Sequence, residues 1–187
     1  MRMNFHRTVP LMFTAFTLFS SAAWAQKPAA FGTCTPASER AGRVFGCFII
    51  AEQKLGRLGD SAMFWHVTRF PSRKLADAAN DGGTVIEAYG QAWLLNIAGP
   101  TWRSARGVHV AAIGPLPINP QIEYSALYME GSMRPGMKSA IHRHSGPEAW
   151  YTLSGETCLE TPKGTQVGRA TTAFARDDRQ NIEALKV

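Results

Sequence analysis

Residues 136–155 read Gly-Met-Lys-Ser-Ala-Ile-His-Arg-His-Ser-Gly-Pro-Glu-Ala-Trp-Tyr-Thr-Leu-Ser-Gly, which places His142, His144 and Glu148 within seven positions. Two imidazoles and a carboxylate are the donor types that hold a first-row divalent metal. A set of two histidines and one carboxylate leaves coordination positions open for water or substrate. In a β-strand, residues two apart leave the same face, with Cα atoms about 6.7 Å apart at about 3.3 Å rise per residue. Imidazoles at that spacing can converge on one ion at metal–nitrogen distances of about 2.0–2.1 Å. Ser145-Gly146-Pro147 is turn chemistry, so the chain can fold back and bring Glu148 from a neighbouring strand. Such a set suits iron, and also accepts manganese, zinc, nickel or copper. Its ligands must be deprotonated, so metal is expected to leave as the pH falls below about 6. The competing reading is a surface hairpin whose histidines face water.

The spacing Gly136-x5-His142-x-His144-x3-Glu148-x6-Gly155 resembles the first motif of the cupin superfamily. The match is strict over these residues and looser, as strand-rich sequence, over residues 84–170. The resemblance implies a small β-barrel with His142, His144 and Glu148 as metal ligands. It also implies oxygenase, isomerase or decarboxylase activity on a small molecule as the commonest function, with non-catalytic binding of a small ligand as the second. The family's second motif, whose histidine is the usual remaining ligand, is missing. No histidine follows His144, and although Pro162 and Gly164 echo part of that motif, Val167 stands where its histidine would be. Three protein ligands still suffice in catalytic zinc sites. A third reading is a degenerate barrel without metal. His66 and His109 are substitute ligands on composition alone. His66, in Phe64-Trp65-His66, reads rather as a buried, hydrogen-bonded histidine, and His109 lies mid-strand. No second catalytic group stands out among Glu123, Tyr128, Trp150, Tyr151 and Glu160.

The elements that must position these residues are short and mostly extended. Strands are expected over Arg43–Glu52, Met63–Phe70, Thr84–Tyr89, Ala92–Ile97, Val108–Ile113, Ile122–Tyr128, Ile141–His144, Ala149–Leu153 and Thr157–Glu160. Gly90-Gln91 marks a hairpin, and Thr161-Pro162-Lys163-Gly164 a turn. One short helix is expected from a cap at Ser72 to about Asn80, stopped by Asp81-Gly82-Gly83. Many short strands between turns predict an all-β fold, a barrel or sandwich. The division expected is a β-rich extension over 26–83, a cupin-like barrel over 84–170 and a polar tail over 171–187. Strand character fades after about Ala170, and Asn181–Val187 has room for one helical turn at most. Either a frameshift or truncation replaced the native end, leaving the barrel incomplete, or upstream strands complete the sheet. An exposed sheet edge would be covered by dimerisation, giving a homodimer, or by docking of the tail.

The first 25 residues read as a secretory signal peptide. Arg2, His6 and Arg7 precede an apolar stretch from Val9 to Ser21, and Ala23-Trp24-Ala25 is a small-x-small cleavage site. The alternative is an uncleaved anchor, but the apolar run is short for a membrane span. Cleavage predicts export to a periplasmic or extracellular space, with no stable membrane span afterwards. It would leave 162 of the 187 residues, enough for one domain with a sizeable core. The scattered basic residues of the remainder argue for a solvated surface and against a nucleic-acid partner. Either Cys34 and Cys47 form a disulfide, which export permits, or Cys47, inside the apolar run Val44–Ala51, is a buried small hydrophobe.

Overall fold

The computed structural model describes residues 30–31, 34–142, 145–162, 164–170, 173–176 and 184–186. The expected signal segment and His144 lie outside the described residues. The fold is all-β with one short helix, as the sequence predicts.

The central sheet is built from strands that bury both faces. β4 (Phe64–Phe70) lies between β6 (Gln91–Ala98) and β7 (Val108–Ile113), and β5 (Thr84–Ala88) pairs outside β6, every pairing antiparallel. Strand periodicity sends alternate residues to opposite faces. Val67, Trp93 and Leu95 join one core, whereas Phe70, Ala92 and Leu94 join another on the far side. β6 is therefore buried without interruption from Ala92 to Asn96. A helix, α1 (Arg73–Ala78), covers the second core with Ala76 and is capped by Ser72, whose hydroxyl accepts from the Leu75 amide. The Asn80 side chain brackets Gly83 through both its amide and its carbonyl and so ends the turn after the helix.

A second sheet packs on the first core. β2 (Thr35–Pro36) runs parallel to β3 (Gly46–Arg57), which pairs antiparallel with β8 (Glu123–Ser132). Ile50, Ala126 and Tyr128 turn inward from it. The two sheets thus sandwich Val67, Trp93 and Leu95. The Cys34–Cys47 disulfide is formed and fixes the start of this sheet. Closing so short a loop contributes about 3 kcal/mol on chain-entropy grounds. Nearby, Arg40 pairs with the buried Glu130 and lies over the Phe48 ring at 4.3 Å.

Between the sheets, Gln53 acts as a polar bolt. Its carbonyl accepts from Thr84 Oγ1 at 2.8 Å and from the Tyr128 hydroxyl at 3.0 Å, while its amide donates to Gly82 O at 2.8 Å. Burial pushes the Tyr128 phenol up to about 12, so it stays protonated and able to donate. Replacing Gln53 with leucine strands two hydroxyl donors, and the variant is expected to lose about 2–3 kcal/mol. Urea denaturation reads this directly, and an unchanged midpoint would show the bolt to be idle.

The remaining strands form two smaller groups. β1 (Ala30–Phe31), β9 (Lys138–Ser139), β14 (Ala184–Lys186), β11 (Glu156–Thr161) and β12 (Gly164–Arg169) make one sheet in that order, and β10 (Glu148–Tyr151) pairs with β13 (Ala173–Arg176). Among the described residues the sheets do not close into a barrel.

Three local expectations change. The β5–β6 hairpin turns at Tyr89-Gly90, one residue earlier than expected, with both residues at positive φ (54° and 70°). A tight hairpin matching the strand twist needs this pair of angles, and the Tyr89 hydroxyl secures it by donating to Gly131 O. Ile141–His144 is not a strand as far as it is described: Ile141 sits in a bend and His142 is a single bridge residue. Ile141 is 68% exposed, so no apolar burial pins an extended segment there. The tail is not devoid of strands, because β13 and β14 lie within 171–187. Strand preference depends strongly on what lies alongside, and β10 and β11 offer these short segments open edges.

Candidate functional site

The turn at Ser145-Gly146-Pro147 separates His142 from Glu148, as the sequence predicts. Glu148 opens β10 and is half-buried. Ala149 and Tyr151 pack against the first core, so strand alternation directs Glu148 and Trp150 to the opposite side. Across the pairing, Glu148 stands in register with Arg176. The turn passes beside Tyr124, whose hydroxyl accepts from the Asn119 amide at 2.8 Å.

His142 is exposed, and its Nδ1 lies 2.7 Å from Ala140 O. A carbonyl only accepts, so Nδ1 carries a proton, and the neutral form of this ring has its lone pair on Nε2. A backbone carbonyl that fixes the tautomer and the ring is the usual outer-shell support of a metal-binding histidine. The donor chemistry of His142 and Glu148 therefore fits a divalent cation. Among the described residues, which do not include His144, there is no group of three or more His, Cys, Asp or Glu able to hold a metal ion.

Of the other residues singled out in the sequence, Tyr128 belongs to the Gln53 network, Tyr151 packs on the core and Glu123 is exposed at the start of β8. His66 is fully buried, and its Nε2–H donates to Gly99 O at 2.9 Å, as expected of a core histidine. The sequence did not reveal that His66 and His109 are neighbours. Thr68 pairs with His109 across β4 and β7, and the two imidazole rings stand 5.8 Å apart. Because β4 reaches β7 only after the β5–β6 hairpin has been laid on its other edge, no short-range pattern announces the pair.

Burial holds the His66 imidazole below its ordinary value, with the Arg103 charge acting the same way against the raising effect of the Gly99 carbonyl. His109 is also lowered, first by burial and then by Arg103 and His66. The unfolded chain therefore takes up protons, near the ordinary histidine value of about 6.5, that the folded chain refuses. Stability is full above that value and is lost as the pH falls through the lower folded values. The urea midpoint of the metal-free protein is expected to fall between pH 7 and pH 5.5, before carboxylates titrate. A flat midpoint over that interval would contradict the burial of a neutral pair.

Comparison with protein-family models, with curated proteins and with solved structures gives no match.

Proposed function

We propose that this chain is an exported, cupin-like protein that binds one divalent metal ion through His142, His144 and Glu148. The observation that carries this reading is the motif from Gly136 to Gly155, supported by the His142 tautomer set by Ala140 O. The bound metal would supply Lewis-acid or oxygen-activating chemistry at its open positions. His142 and His144 would bring neutral imidazoles, and Glu148 the single negative charge that partly offsets the cation. The reaction class that fits is oxygenase- or isomerase-type chemistry on a small molecule. The same site without a catalytic partner residue would serve a non-catalytic ligand-binding protein.

The Cys34–Cys47 disulfide supports export, because such bonds persist in oxidising compartments. No described helix is long and apolar enough to cross a membrane. The outer edge of β8, with Leu127 and Met129 exposed, supports the expectation of a homodimer.

The test is thermal unfolding with iron(II), manganese(II), zinc(II), nickel(II) and copper(II) in turn, followed by an oxygen-uptake screen with the stabilising metal. A ligand that binds only the folded state raises the melting temperature. A rise with at least one of these ions is expected. No rise with any of them would favour the degenerate, metal-free barrel. A rise without oxygen uptake or turnover would favour the binding protein.

A further inference from the structure

The face of β4 that carries Phe64, His66, Thr68 and Phe70 is roofed by the loop 99–107. Gly99 accepts the His66 hydrogen bond, and the Trp102 ring lies 5.2 Å from the His66 ring. Gly107, at φ +85°, brings the loop so close that an added Cβ would sit 2.6 Å from the Phe70 ring. Under this roof His66 Nδ1, His109 Nε2 and Thr68 Oγ1 are all buried and have no hydrogen-bond partner among the described residues. Ser104 Oγ, in the roof itself, is in the same condition. Buried polar atoms are nearly always satisfied, so a group of orphans on one sheet face asks for a ligand.

The chemistry of the orphans says which ligand. The Nε2–H of His66 is committed to Gly99 O, so the neutral ring presents only a lone pair at Nδ1. This is the same outer-shell arrangement that orients metal-binding histidines. Two rings sharing one ion at about 2.0–2.1 Å have centroids from about 5.2 Å apart in a tetrahedral arrangement to about 6.4 Å in a linear one. The observed 5.8 Å falls inside that interval.

Charge then narrows the cation. His66, His109, Thr68 and Ser104 supply only neutral donors, and the nearby charged group is the Arg103 guanidinium, held by Pro100 O and Trp102 O. Desolvation cost grows with the square of the charge, so an uncompensated divalent ion is far more costly to bury than a monovalent one. Arg103 repels the divalent ion twice as strongly. We infer that His66 Nδ1 and His109 Nε2 form a binding site for a monovalent copper ion, separate from the set at His142, His144 and Glu148.

The test uses the full chain carrying Cys158→Ala, His142→Ala and His144→Ala, which removes the free thiol and the two histidines assigned to the divalent site. Copper(I) is titrated without oxygen against a chromophoric chelator, and silver(I) serves as a redox-inert probe of the same charge. One equivalent is expected, with affinity at least tenfold lower after the further change His109→Leu. In the parent background, nitrogen-15 spectra are expected to show silver(I) shifting His66 Nδ1 and His109 Nε2 together. These spectra decide the matter should the His109→Leu chain fail to fold. Unmoved ring nitrogens, affinity indifferent to His109→Leu, or zinc(II) binding the pair as tightly as copper(I) would each overturn the proposal. None of these results bears on the divalent site, whose two histidine ligands are absent from this background.

Discussion

The His142→Ala chain is expected to bind divalent metal about a hundredfold more weakly than the parent, or worse. Losing an outer-shell partner alone costs roughly 10- to 100-fold in affinity, and removing a ligand itself costs at least as much. His142 sits in an exposed single-residue bridge, so the substitution deletes a donor without opening a cavity. The loss should therefore appear in metal affinity while the metal-free melting temperature stays within about 1 °C, as for other exposed substitutions. Isothermal titration with zinc(II) or manganese(II), paired with thermal melts of the apo protein, separates the two quantities. His66→Ala supplies the contrast. It should lower stability through its buried ring and its bond to Gly99, yet leave divalent affinity nearly unchanged. Equal divalent affinities for the parent and His142→Ala would remove the imidazole from the site.

Trp93→Ala should be the most damaging single core change. Trp93 is 6% exposed at the centre of the first core, between β4 and β5, and its Nε1–H donates to Ala88 O at 3.0 Å. Truncating a buried tryptophan to alanine costs about 3–5 kcal/mol, the lost transfer energy and the cavity together. For a domain of this size that corresponds to a fall on the order of 10 °C in Tm. Trp93→Phe separates the contributions, because it keeps most of the apolar volume and loses the indole donor. Its expected cost is about 1–2 kcal/mol, from the lost hydrogen bond and the smaller ring. Denaturation midpoints for the two variants check the ordering. Equal costs would mean that the hydrogen bond, and not the packing, dominates this position.

Where β-branched and aromatic content and capping were strong, the sequence predicted the fold closely. Met63–Phe70 is expected as a strand ended by Pro71 and observed as Phe64–Phe70, and Val108–Ile113 coincides with β7. The helix behind Ser72 was legible because a hydroxyl cap and a run of leucine and alanine are local signals. Sheet order was not legible. The placement of β4 between β6 and β7 depends on contacts far apart in sequence, and with it went the His66–His109 pair. The segments β13 and β14 escaped for a related reason: three or four residues docked on an open edge carry too little periodicity of their own. At the site, residue types and the turn at 145–147 were readable, but the strand expected over Ile141–His144 was not realised at Ile141 and His142. Ile141, the one apolar residue of that segment, faces water, so no burial holds it extended.

Metal content after loading and exhaustive dialysis tests the central claim most directly. Elemental analysis should find one divalent ion per chain in the parent protein. The His142→Ala/His144→Ala/Glu148→Ala variant, shown folded by its circular dichroism and its melt, should carry none. A parent chain that emerges metal-free, or a triple variant that keeps a full equivalent of the same ion, would contradict the account.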